Sequence, residues 1–393
     1  MSLFSNKMNL AMKINSLYFK NGFLNWEVEE IQFGQINLLV GLSGSGKTQV
    51  LNAIWFLRGI ALGGGMNNVE WKINFTINNS IYEWSGILGA LNRDSDGYHI
   101  TKEHLIVLEN NGHGRKSIER KRDGSIEIID EELSLNEKVN KRLAGSGLLF
   151  QMYKDELDFV GEAVKGFKKM VFRDHTQSQA DIYSNFYKTR FRYRYSHRYS
   201  GMTLEELKNS NLTTSEKLIV AEKNDFEVLK DIINDFKSIF PEVFDLSIVE
   251  ISNPTIEEGH VEYQIKAVGS HKWIPHRNIS SGMLRTLNYL IESYLSDDDT
   301  LFLIDEFENS LGHNCLPRLA EDIVIKSNFR QFIITTHHPD IINEFEFSDW
   351  IIITRNKGQI FNQRATELPF SRSLNEPYLA LINHFDSQLN LTH

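Results

Sequence analysis

The sequence predicts an α/β fold on a mixed sheet, with an antiparallel β lobe and an inserted, mainly helical segment. Three observations carry that prediction. Short apolar runs alternate with helix-compatible stretches near both ends of the 393-residue chain, as expected of parallel strands covered on both faces. Between about 69 and 129, apolar and polar residues alternate in short segments separated by Asn, Asp and Gly clusters, the pattern of hairpins with one buried face. From 151 to about 240 the chain becomes charged and helix-prone. The predicted division is therefore 1–150, 151–244 and 245–393.

Each element has its own justification. Residues 36–40, INLLV, form an apolar run that ends in a glycine-rich turn, and 49–57 follow with apolar residues at Val50, Ala53, Ile54 and Leu57, a helical spacing. Residues 71–77 and 125–129 alternate as strands do. The stretch 216–240 reads as one helix through Leu218, Ile219, Phe226, Leu229, Ile233 and Phe236, closed by Pro241. It lacks sustained heptads, which excludes a long coiled coil. Strands are expected at 246–251 and 261–268, then a helix over 282–294. Two further apolar strands, 301–304 and 331–335, flank a helical stretch at 316–325.

Composition narrows the function classes. Charged residues make up 24% and hydrophobic residues 41%, which suits a globular chain and argues against extensive disorder. A net charge of −10 excludes a protein that is basic throughout, so any contact with nucleic acid must use a local patch. Cys315 is the single cysteine, too few for an intrachain disulfide or a cysteine-rich metal site, which points to a reducing compartment. The best apolar run, 53–62, is short and carries Arg58, so no membrane span is expected. With no signal-peptide pattern at the start, a cytoplasmic location is expected.

The chemistry concentrates in four places. Residues 41–48, GLSGSGKT, satisfy G-x-x-x-x-G-K-[ST] at a strand-to-helix junction. Such a loop curls so that backbone N–H groups and a helix N-terminus face phosphates. Gly41, Ser43, Gly44, Ser45, Gly46, Lys47, Thr48 and Gln49 are therefore candidate ATP-binding residues, with Lys47 on the β and γ phosphates and the Thr48 hydroxyl on Mg2+. The apolar strand LFLI delivers Asp305 and Glu306 to a sheet edge, Asp305 as a metal ligand and Glu306 as the group that orients or deprotonates water. At 333–339, IITTHHP, another strand turns polar, and His337 rather than His338 is placed to sense a γ-phosphate. In ISSGMLR, 279–285, Ser280 caps a helix whose first turn holds Gly282. Two acids after a strand, one histidine or one cap is ordinary structure when alone; their company gives them weight.

This ordered set resembles the ABC ATPases, with ISSGMLR in the place of their signature motif and Glu308 to Leu311 in that of their D-loop. The resemblance spans about 12–90 and 278–353 and implies a P-loop NTPase head of the ABC type. The spelling FENSLGH after the acids and THHP at the switch is similar to SMC-like and RecF-like ATPases, and to OLD-type and Septu- or PARIS-type anti-phage ATPases, more than to transporters. Ser281 stands where many relatives have glycine, and Gly312 separates Leu311 from His313. The family pattern implies ATP and Mg2+, and a homodimer or higher oligomer in which Ser280 and Gly282 reach the γ-phosphate of ATP held by the other subunit. It also implies a glutamine that touches the metal: Gln151 is the candidate, with Gln177 and Gln179 competing. About fifty-five residues follow His337, too few for the Toprim domain of OLD nucleases, so a separate effector, a nuclease or toxin, is expected.

Residues 187–199, YKTRFRYRYSHRY, set Arg190, Arg192 and Arg194 against Phe191, Tyr193 and Tyr195. In an extended chain the two sets face opposite ways. The stretch is either a surface for DNA or a partner or an edge strand guarded by arginines. Three functions compete: an ATP-driven clamp or sensor linked to DNA, a transporter ATPase subunit, and a module that holds ATP without turnover. The paired acids argue against the last, and the long path from P-loop to ISSGMLR argues against the second.

Overall fold

The computed structural model describes residues 12–89, 100–108, 115–123, 125–130, 135–139, 148–173, 191–192, 199, 201–210, 212, 214–253, 258–309, 311–312 and 315–368. The chain divides into two compact units, one of 1–173, 298–306 and 323–393, the other of 174–297 and 307–322.

The first unit is built on a fourteen-stranded mixed sheet, as the sequence predicts. Its strands, in chain order, are β1 (Lys13–Asn21), β2 (Trp26–Gln32), β3 (Ile36–Val40), β4 (Val69–Ile77), β5 (Ser80–Leu88), β6 (Ile100–Leu108), β7 (Arg115–Arg120), β8 (Ile126–Asp130), β9 (Leu135–Val139), β10 (Met170–Arg173), β15 (Leu301–Ile304), β16 (Phe332–Thr336), β17 (Trp350–Asn356) and β18 (Gln359–Arg364). Five of them, in the spatial order β10, β15, β16, β3, β17, run parallel. Every residue of β3, β15 and β16 is buried, which is why these strands read as unbroken apolar runs rather than alternating ones. The helix α1 (Lys47–Ala61) follows the glycine-rich turn and buries Val50, Leu51, Ala53, Ile54 and Leu57.

From β4 to β9 each strand pairs antiparallel with the next, forming the expected lobe. β4 and β5 are joined by Asn78 and Asn79, both at positive φ (50° and 68°), which asparagine tolerates and which matches the right-handed twist of a hairpin. Trp71 and Trp84 meet edge to face at 5.1 Å, and Trp84 stacks on Phe150 at 4.5 Å. Thus α2 (Leu149–Tyr153) and α3 (Asp158–Lys168) pack in the first unit, and β10 extends its parallel sheet. The stretch 151–173, grouped with the insert on sequence grounds, lies within this unit.

The second unit holds α4 (Leu204–Lys208), α5 (Thr214–Lys223), α6 (Val228–Ile239) and α7 (Ser281–Leu295), with a sheet of β11 (Phe191–Arg192), β12 (Val243–Asn253), β13 (Glu258–Ala267) and β14 (Trp273–Pro275). The single helix expected over 216–240 is two. Asp225 adopts a left-handed φ of 51°, the Phe226 N–H donates to Ala221 O and the Asp225 N–H to Glu222 O, a Schellman closure made without glycine. Helix α8 (Leu316–Lys326) and the short α9 (Pro339–Glu344) complete the chain's described helices. No described helix is long and apolar enough to cross a membrane.

Candidate functional site

Register brings the separated motifs to one edge. Thr336 pairs with Val40, and Ile304 with Ile334, so the three parallel strands β15, β16 and β3 end together at their carboxyl side, where open α/β sheets bind ligands. There a cleft of about 530 Å3 is lined by residues that include Gly41, Ser43, Gly44, Gly46, Lys47, Thr48, Gln49, Glu306, Thr335, His337 and Arg355.

The loop's shape depends on its glycines. A Cβ on Gly41 would collide with Ile353 O, and Gly46 has φ 103° with the Ile360 side chain where its Cβ would go. Lys47 is the first residue of α1 and donates through Nζ to the carbonyls of Gly41 (2.8 Å) and Leu42 (3.0 Å). Ser45 Oγ is buried without a hydrogen-bond partner among the described residues.

The acids sit opposite the loop. Thr48 Oγ1 lies 3.0 and 3.1 Å from the two carboxylate oxygens of Asp305, across 257 positions of sequence. Thr335 ties both acids together. Its hydroxyl donates to Asp305 Oδ1 at 2.6 Å and accepts from the Glu306 N–H at 2.8 Å. Asp305 is fully buried, while Glu306 is part-exposed and has a φ of 45°, a left-handed conformation that costs a non-glycine residue on the order of 1 kcal/mol. His337 is exposed on the cleft wall.

A nucleotide and Mg2+ fit these residues. Thr48 and Asp305 present only oxygen donors, as a hard cation prefers, and Mg2+ keeps several waters instead of needing a full protein cage. The unpartnered Ser45 hydroxyl and the N-terminal turn of α1 supply donors for phosphate.

Residues 219–343 match the family described as AAA domain, putative AbiEii toxin, Type IV TA system. The match covers about a third of the chain, including Ser280, Asp305, Glu306 and His337. No curated protein matches the sequence. Similar solved structures include the Smc head domain of Pyrococcus furiosus with an extended coiled coil, bound to the C-terminal domain of ScpA (TM-score 0.44, 16% identity, 90% of this chain and 96% of that one). Others are the SMC head domain from Thermotoga maritima (0.39, 16%, 90% and 98%) and the Smc head domain with a coiled coil and joint from Pyrococcus yayanosii (0.42, 14%, 95% and 99%).

Not every expected residue reaches the cleft. Gln151 donates through Nε2 to Ala61 O at 2.7 Å, accepts from Lys154 Nζ at 3.0 Å and packs on Gly63. That is the C-terminal end of α1, roughly 20 Å along the helix from Lys47 at 1.5 Å per residue, so the arrangement gives no support to Gln151 as a metal ligand. Gln177 and Gln179 lie outside the described residues, downstream of Arg173, whose carbonyl accepts from the Asp305 N–H at 2.8 Å.

Ser280 belongs to the second unit and caps α7 as expected, its Oγ accepting from the Met283 N–H at 3.3 Å, with Gly282 in the first turn. Of the three arginines, Arg190 and Arg194 lie outside the described residues. Arg192 is on β11, which pairs antiparallel with β13 at the side of its sheet.

Two cleft residues escape a sequence reading. Thr335 lies inside the recognised TTHH run but gains its role from contacts with Asp305 and Glu306. Arg355 lies near the end of β17, after its apolar residues, and only its place beside Gln49 marks it.

Proposed function

We propose that this chain binds and hydrolyses ATP with Mg2+ as an ABC-type ATPase of the SMC-like and RecF-like branch. One observation carries the reading: the P-loop Thr48 hydroxyl is hydrogen-bonded to the Asp305 carboxylate, with Glu306 and His337 on the same cleft. Lys47, Ser45 and the first turn of α1 bind the phosphates, and Thr48 and Asp305 hold the metal, which supplies charge neutralisation of the phosphates. Glu306 takes a proton from, or orients, the attacking water. His337 contacts the terminal phosphate from the opposite wall.

In this reading two copies close around ATP, Ser280 and Gly282 of each completing the other's site, and hydrolysis separates them. The cycle drives a clamp or sensor linked to DNA, with Arg190, Arg192 and Arg194 as local positive charge in a chain of net charge −10. It controls a separate effector, a nuclease or toxin, in anti-phage defence. The resemblance to anti-phage ATPases supports this biological role by analogy.

Glu306→Gln tests the chemistry. The amide keeps the shape and loses the base, so the variant should retain ATP, release phosphate at well under a hundredth of the wild-type rate and accumulate as an ATP-bound dimer in size-exclusion chromatography. Wild-type turnover would remove Glu306 from the mechanism.

A further inference from the structure

The cleft has a second built cation besides Lys47. Arg355 lies near the end of β17, on the cleft, its Nη1 donating to Gln49 Oε1 at 3.0 Å and its Nε to Lys357 O at 2.7 Å. Both anchors are themselves fixed. Gln49 belongs to the first turn of α1, directly after Thr48. Lys357 sits at a φ of 54° in the tight turn between β17 and β18, and Gly358 in that turn accepts from the Glu27 N–H at 2.9 Å. An exposed arginine loses considerable side-chain entropy when held in one place. Here two acceptors hold Nε and Nη1 of a planar guanidinium, and Nη2 makes no hydrogen bond among the described residues.

Its position specifies which part of a ligand it meets. Successive residues on a helix point about 100° apart. Thr48 faces Asp305, so the metal and the hydrolysed phosphate belong on that flank, whereas Gln49 faces Arg355 on the other. A guanidinium fork matches phosphate oxygens, which accept its remaining N–H groups.

We propose that Arg355 is a nucleotide-binding residue that takes the inner, α-phosphate of a bound nucleoside polyphosphate, held ready by Gln49. This rests on the ATP-binding reading above and adds a contact that every nucleotide with an α-phosphate must make, independent of the base and of the γ-phosphate.

The test is affinity rather than turnover. With the full-length protein and Mg2+, ATP, ADP and GTP binding is measured by calorimetry for wild type, Arg355→Ala and Lys47→Ala, with thermal melting to confirm folding. Arg355→Ala should weaken all three by the same factor, about tenfold, the lower end for a charge-assisted bond because the group is solvent-screened. Arg355→Gln, which keeps length without charge, should behave likewise and decides the matter if the alanine variant does not fold. Unchanged affinity in a folded variant, or a loss confined to ATP over ADP or to ATP over GTP, would overturn the assignment. If wild type binds and Lys47→Ala does not, such a result removes only Arg355 and leaves the cleft intact; a wild type that binds none of the three removes both readings.

Discussion

Thr335→Val removes one hydroxyl and keeps the side chain's shape and volume, so its consequence follows from two hydrogen bonds. Thr335 is 1% exposed. The hydroxyl's single hydrogen goes to Asp305 Oδ1 and a lone pair receives the Glu306 N–H. Loss of the bond to a carboxylate costs about 1.5–3 kcal/mol and an orphaned buried N–H about 1–3 kcal/mol. Glu306 is part-exposed, which puts its share at the low end and the total at about 2–4 kcal/mol. For a unit of roughly 250 residues this lowers the melting temperature by about 5–15 °C.

The catalytic effect is separable from the stability effect. Without the Thr335 hydroxyl, the Glu306 N–H loses its bond to the neighbouring strand, and less opposes relaxation of its left-handed backbone. Misplacement of a catalytic group by about 1 Å costs on the order of a hundredfold in rate, while the P-loop contacts that set ATP affinity are untouched. Steady-state phosphate release and calorimetric ATP binding on Thr335→Val and Thr335→Ser at a temperature where all are folded separate the two effects. The serine variant keeps the hydroxyl and should recover most of the rate. A valine variant that melts and hydrolyses as wild type does would refute the role given to Thr335.

Two further outcomes are expected. Burial pushes the Glu103 carboxyl up to about 7, against the N–H bonds from Leu149 and Trp84 and the field of Arg120, which pull it down. The folded chain then keeps a proton that the unfolded chain has lost between the ordinary carboxylate range and pH 7. This group's contribution to stability therefore falls as pH rises through that window, and Glu103→Gln should show a flatter melting-temperature profile there than wild type. Mixing Ser280→Arg with Lys47→Ala should restore some ATPase activity if sites are shared between two copies, because one site of the mixed dimer then joins an intact loop to an intact cap; no recovery would place each site within one copy.

The sheet was legible because its central strands are short, wholly apolar and punctuated by glycine or paired acids. INLLV, LFLI and FIITT could hardly be read otherwise. Legibility failed where a local pattern had two structural uses. Gln151 follows the apolar triplet LLF, 148–150, which has more than one structural use. In the structure Phe150 stacks on Trp84, and the glutamine beside it closes the far end of α1. The strand Met170–Arg173 buries only its first residue, too little apolar signal to stand out beside a helix that precedes it. Asp225 ends a helix through its backbone conformation, without the glycine that would announce it. Thr335 and Arg355 are commonplace in sequence, since their meaning lies in neighbours 30 and 306 positions away.

The placement of Glu306 ties the chemistry to the architecture. Asp305 ends a strand run inside the first unit, and the chain passes to the second unit between Glu306 and Phe307. The acid assigned to water activation is therefore the last residue before the crossing. Its backbone is unfavourable, and Thr335, on a neighbouring strand, holds it by one bond. Thr335 thus fixes, from the sheet, where the Glu306 N–H points. Asp305, fully buried, is bonded to Thr48, Thr335 and the Arg173 carbonyl, all within the first unit. The acid proposed to hold the metal therefore keeps two of its contacts if Thr335 is changed, whereas the acid proposed to act on water loses the bond that positions its N–H. On the proposed function, a change at Thr335 should accordingly slow hydrolysis more than it weakens ATP binding.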